Sequence, residues 1–217
     1  MYFRDDSIEN NNKNQIVSYI RLLHASPNAP KVTVLVNNLP FVKDFEYTEF
    51  TDYVKVLPGK YNVKIVRNNN PTDVLYDTVL DIPKNKIFTV AAIGKFPDDF
   101  ELFPIEETYS GPVNDNKVYF KVVNLIPDGP SIDLTTENNI LLFSDVMEME
   151  VENYKELSPR KYNMTVKLQN TDIDILYVPN IYLRGDKFYT MYLVGILNGT
   201  PGLEALIPLD GITYLKH

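Results

Sequence analysis

Any acid–base or nucleophilic chemistry in this chain has to begin at His24. It is the only histidine besides His217, and Ser26 stands two positions on, in the stretch IRLLHASPNAPKVTVLV at residues 20–36. A base beside a hydroxyl is the start of a nucleophilic triad, which also needs an orienting acid in hydrogen-bond reach. With 29 Asp and Glu in the chain, a third member is available. The surrounding pattern favours a structural role. His24 ends an apolar run, and its ring is placed to hydrogen-bond the corner at residues 26–29. One hundred residues later the outline returns as FKVVNLIPDGPSIDL, residues 120–134. Pro27 and Pro30 recur there as Pro127 and Pro130, but His24 becomes Asn124 and Ser26 becomes Ile126. An asparagine can donate and accept as an imidazole does, yet it cannot act as a base near neutral pH. We therefore expect no catalytic residue and no enzyme activity.

Metal and cofactor sites are not expected either. One interior histidine and no cysteine cannot make a zinc ligand set. Asp98, Asp99 and Glu101, and separately Asn114, Asp115 and Asn116, could offer oxygen to calcium, but no Asp-x-Asp-x-Asp-Gly loop is present. They read as solvated loops. Glycine is scarce, at 9 residues, and no phosphate-cradling motif occurs. Tyrosine, at 15 residues, raises the alternative of sugar stacking. However, Tyr53 and Tyr61 recur as Tyr154 and Tyr162. Recurrence at matched positions points to packing, or to a tyrosine corner beside a turn.

The elements that would hold these residues are strands. Tyr61, Val63 and Ile65 alternate with Asn62 and Lys64, and Tyr162, Met164 and Val166 alternate with Asn163 and Thr165, the period of a half-buried strand. Turn residues punctuate the runs at Asn37-Asn38, at Pro58-Gly59 and at Asn68–Pro71. About seven strands fit before residue 107, with residues 41–45 as an irregular segment. The stretch FTVAAIG at 88–94 matches YTMYLVG at 189–195 at a shift of 101, and LFPIEE at 102–107 matches LIPLDG at 206–211 at a shift of 104. One spacing held over so long a stretch marks a tandem repeat. The expected fold is all-β: two tandem antiparallel β-sandwich domains at residues 16–107 and 117–217. A linker at 108–116 joins them, long enough for some hinge motion. Residues 1–15, MYFRDDSIENNNKNQ, are polar and Asn-rich and read as a flexible tail. Tyr2 and Phe3 suggest a second reading, an arm that adds to a sheet edge of a neighbouring copy.

The motifs HASPNAP at 24–30 and Pro58-Gly59-Lys60-Tyr61, followed by FTVAAIG and LFPIEE, resemble the bacterial family known as domain of unknown function 4397. The resemblance covers residues 16–107 and, more faintly, 117–210. It implies immunoglobulin-like or transthyretin-like sandwiches on an exported or envelope-associated protein, with no known enzymatic activity.

Net charge is −8, from 21 Lys and Arg against 29 Asp and Glu, with no dense basic run. That argues against nucleic acid and anionic membranes as partners. No run approaches 18 apolar residues, so membrane insertion is not expected. The opening residues lack the apolar core of a signal peptide, which points to cytoplasmic synthesis with deposition on a spore or cell surface. The Asn-, Lys-, Ile- and Tyr-rich composition suits a low-GC, spore-forming bacterium. The expected function is a non-catalytic structural or assembly module that associates with itself or another protein through sheet edges or the tail. The alternative is a carbohydrate- or peptide-binding module.

Overall fold

The computed structural model describes residues 16–215; the expected arm at residues 1–15 lies outside them. Eight strands form the first half: β1 (Ser18–His24), β2 (Val32–Val36), β3 (Leu39–Phe45), β4 (Val54–Val56), β5 (Gly59–Arg67), β6 (Val74–Ile82), β7 (Ile87–Ile93) and β8 (Glu101–Glu106). Eight form the second: β9 (Val118–Asn124), β10 (Ile132–Thr135), β11 (Leu141–Val146), β12 (Lys155–Leu157), β13 (Arg160–Leu168), β14 (Asp174–Leu183), β15 (Lys187–Val194) and β16 (Glu204–Leu206). Two single 3-10 turns, Glu137–Asn139 and Gly211–Thr213, complete the described structure. No helix among the described residues is long and apolar enough to cross a membrane.

Each half is a sandwich of two four-stranded sheets. In the first, β4-β1-β7-β8 lies on β3-β2-β5-β6; in the second, β12-β9-β15-β16 lies on β11-β10-β13-β14. The all-β expectation holds, and pairing is antiparallel except between β1 and β7 and between β9 and β15, which run parallel. The sheets that contain those parallel pairs also face each other across the molecule. β7 and β9 are buried at all seven positions, as strands covered on both faces must be, and their sequences IFTVAAI and VYFKVVN are correspondingly apolar apart from Thr89, Lys121 and Asn124. Leu23, Ala91 and Ile105 of the first half share one buried cluster with Val123, Tyr192 and Val194 of the second. Their neighbours one position along, such as Val90 and Val122, point into their own sandwiches. This is the period-two alternation of a strand.

The first half has eight strands rather than about seven, because residues 39–45 form β3. Its alternation is weak because it is a sheet edge with two register irregularities against β2 and only Phe45 buried. The Asn37-Asn38 hairpin has φ of 50° and 64° at its two central residues, the left-handed pair that a two-residue type I′ turn requires. Asn28 and Asp128, each after the first proline of its corner, take φ of 64° and 52°, so both corners bend the chain in the same way.

Candidate functional site

His24 is fully buried at the end of β1. Its ring lies 5.7 Å from that of Phe45 and meets Tyr47 edge-on at 6.3 Å. Neither ring nitrogen has a hydrogen-bond partner of good geometry; the Pro30 carbonyl is close enough only to oppose the burial that lowers the pKa of the ring. This corrects the expected bond from the ring to the corner. Ser26 is turned elsewhere, donating to the Gly94 carbonyl at 2.7 Å. Asn124 does what His24 does not. It donates to the carbonyls of Pro130 (3.3 Å) and Val146 (3.1 Å) and accepts from the Ile126 N–H at 3.2 Å. A short amide reaches the corner, whereas an imidazole at the same depth is held off by the aromatic rings beside it. Pro27 and Pro127 are buried and Pro30 and Pro130 half-buried, all at the two corners.

At the Pro58-Gly59 turn, Gly59 has φ of 146°. The Tyr61 hydroxyl donates to the Leu57 carbonyl, and that of Tyr162 to the Ser158 carbonyl, each at 2.8 Å. These two are the tyrosine corners. Tyr53 and Tyr154 are not: their hydroxyls reach the contact between the halves, at Glu107 and Gly211 for Tyr53 and at Asp210 for Tyr154. The acidic and Asn-rich loops do not converge. Among the described residues no three His, Cys, Asp or Glu side chains lie together as a metal site would need, and Asn114 bonds the Asn116 N–H within its own turn.

The polar centre of the molecule lies between the halves. Arg21 of β1 donates to Thr89 Oγ1 at 2.8 Å, to the Leu209 carbonyl at 3.0 Å and to Asp210 Oδ1 at 3.1 Å. Its guanidinium lies 4.6 Å over the Tyr53 ring and 3.7 Å from Glu107. Lys121 of β9 reaches the opposite way, donating to the Glu106 carbonyl at 2.8 Å, with its ammonium 4.6 Å over Tyr154. Glu107 accepts from the hydroxyls of Tyr53 and Thr89 and from the Ile212 N–H. Asp210 accepts from Tyr154 at 2.7 Å and Thr190 at 2.6 Å. Each half therefore supplies the same four roles: Arg21, Tyr53, Thr89 and Glu107 in one; Lys121, Tyr154, Thr190 and Asp210 in the other.

That matching corrects the repeat alignment. A shift of 104 pairs Asp210 with Glu106. The backbone pairs it with Glu107, since Glu107 N–H donates to Ile87 O and Asp210 N–H to Phe188 O. Ile87 and Phe188 differ by 101 and Glu107 and Asp210 by 103; since Ile93 pairs with Glu101 and Val194 with Glu204, the two extra residues enter in the loop before the last strand. A signal for the whole cluster was present in IRLLH and FKVVN, where one cation interrupts each apolar run at matched places. A charge buried there requires a partner.

Burial pushes the Glu107 carboxyl up to about 7, with the Asp210 charge adding, against Arg21, the Tyr53 hydroxyl and the Ile212 N–H. Burial likewise lowers Lys121, against the carboxylates around it. Burial raises the phenols of Tyr53, Tyr154 and Tyr192, which remain neutral donors. Two cations, two carboxyls and their hydroxyl partners thus form a closed, water-excluded network. Its chemistry is to hold two surfaces together. The connecting segment takes part: Tyr109 packs at 4.7 Å on Tyr119, whose hydroxyl accepts from the Asn114 N–H. Both ends of the 108–116 connection are thus held against Tyr119 of β9.

A family model described as domain of unknown function (DUF4397) matches residues 18–135, from β1 through β10. The chain belongs to the DUF4397 family. The match runs past the first sandwich into the first two strands of the second, so it includes both corners and both cations of this DUF4397 protein. No curated protein matches the chain. Among solved structures, it is similar to the CBMbc module (family CBM26) of Eubacterium rectale Amy13K, solved in complex with maltoheptaose. Identity is 7%, coverage is 89% of this chain and 96% of that one, and the TM-score is 0.29. A likeness that slight carries no argument about ligand.

Proposed function

We propose that this DUF4397 chain is a non-catalytic structural module that works by self-association at a bacterial envelope or spore surface. The observation that carries the reading is where the reactive groups sit. Arg21, Lys121, Glu107 and Asp210 are locked between the sandwiches, and the imidazole of His24 meets neither a hydroxyl nor an acid. What the protein offers to other molecules is surface. The edge strands β6 and β14 run nine and ten residues, leaving rows of backbone groups with a free side. Light scattering across a range of concentrations tests the reading, with rising mass expected at neutral pH. A chain that stays monomeric at millimolar concentration would sink it. Immunolocalisation in sporulating cells tests the address.

One observation favours a second reading, sugar binding. In β14 an irregular register lies between the pairs Tyr162–Ile181 and Met164–Val178. It restores the alternation, so Tyr177 and Tyr182 both stand on the outer face, 60% and 63% exposed. Four residue steps of strand would place them roughly 13 Å apart, a spacing that suits two separate sugar-stacking positions. Binding on a glycan array that is lost in Tyr177→Ala would favour this reading over self-association.

A further inference from the structure

The first sandwich holds a cavity that the second fills. About 90 Å³ lies between its two sheets, lined by aliphatic and aromatic side chains, among them Ile20, Val63 and Val90. The matched positions of the second sandwich carry Phe120, Met164 and Met191, each fully buried in its core. Two copies of one fold thus differ in a way that leaves one of them hollow. Close packing normally removes such space, and an apolar cavity stays dry and takes up apolar groups of fitting size. Its half-buried lining residues Phe41 and Val54 belong to the edge strands β3 and β4, so the opening lies along the edge between the sheets. Phe41 and Val54 also line an adjoining depression whose rim carries Glu49 and Asp52. The site is therefore an apolar socket beside two carboxylates.

We infer that this socket receives Tyr2-Phe3-Arg4 from a second copy of the chain. The inference rests on the self-association reading above. Residues 1–15 are the longest stretch outside the described structure, and they carry an aromatic pair followed at once by a cation. An aromatic ring in the socket would set Arg4 beside Glu49 and Asp52. Between Phe3 and Ile16 lie twelve residues that are polar or charged except Ile8. Fully extended, a spacer of this length spans up to roughly 40 Å, against a radius of gyration of about 12 Å for a domain of this size, which is long enough to reach the socket of a neighbouring copy. Socket and arm are different surfaces, which makes the contact heterologous and lets it propagate from copy to copy.

The test uses full-length chains in light scattering. Tyr2→Ala with Phe3→Ala removes the arm's anchors. Val63→Met with Val90→Met fills the socket with the side chains of the second half, and a retained melting transition verifies its fold. Each double variant alone should raise the concentration needed for association at least tenfold. Mixed together, they should form one-to-one pairs and nothing longer, because the mixture holds one intact arm and one intact socket. Wild-type association unchanged in both variants would overturn this inference while the assembly reading stands. Association reduced in each variant but not recovered as pairs on mixing would place the arm in its own socket and overturn it too. A wild-type chain that never associates would overturn both.

Discussion

Glu107 is the residue whose state depends most on the fold. Its carboxyl is raised from 4.5 to about 7 by burial and by Asp210. Between those values the folded chain keeps a proton that the unfolded chain has released. Stability therefore falls as pH rises through that window, by about 1.4 kcal/mol for each unit of difference. Chemical denaturation at pH 5 and pH 8 should show the loss, and Glu107→Gln should flatten it. His24 poses the opposite problem, an imidazole buried without a partner. Replacing it by asparagine, as the second half does at Asn124, offers an amide to the carbonyls of the corner. His24→Asn should keep the melting temperature near that of the parent, whereas His24→Ala leaves a cavity and should cost about 1–3 kcal/mol.

Among the elements, the turns after β7 and β15 have little room for a side chain. Gly94 and Gly195 end the matched stretches FTVAAIG and YTMYLVG with φ of 83° and 103°. A β-carbon at Gly94 would stand 1.8 Å from the Asp99 carbonyl oxygen, and one at Gly195 would stand 2.2 Å from that of Gly202. Both the backbone angle and the neighbour oppose a side chain. Gly94→Ala or Gly195→Ala should lose at least about 1–3 kcal/mol in a urea titration, and Gly94→Ala should also disturb the Ser26 bond to the Gly94 carbonyl. An unchanged midpoint would mean that the turn relaxes more freely than its contacts indicate.

Taken whole, the molecule is two sandwiches joined by a face that is apolar at one end and ionic at the other. The apolar part holds Leu23, Ala91, Val123 and Val194; the ionic part is built on the Arg21–Asp210 pair, crossed by the Lys121 ammonium donating to the Glu106 carbonyl. Such a joint makes each half a condition of the other. Calorimetry of the full chain should give a single transition. Arg21→Ala strands two buried carboxyls and should cost about 3–5 kcal/mol, splitting the transition in two as the halves part. A parent chain that already melts in two steps would count against this coupling.

Much of the fold can be read from the residues alone. Period-two runs, Asn and Pro-Gly turns, and a repeat at 100 to 101 residues specify strands and two like halves, because alternation and turn chemistry are local properties of the chain. The corner prolines and the two corner tyrosines, Tyr61 and Tyr162, belong to the same legible layer. The bonding of His24 did not, since a ring's partners depend on the depth and crowding set by Phe45 and Tyr47. Nor did the role of Tyr53 and Tyr154, or the pairing of Glu107 with Asp210. Those groups come from distant strands and the last residues of each half, and they meet only when the two inner sheets close on each other. The residue order determined what each sandwich is. The closing of one sandwich on the other decided which charges are buried, because a charge is stranded or satisfied only by what is placed opposite it.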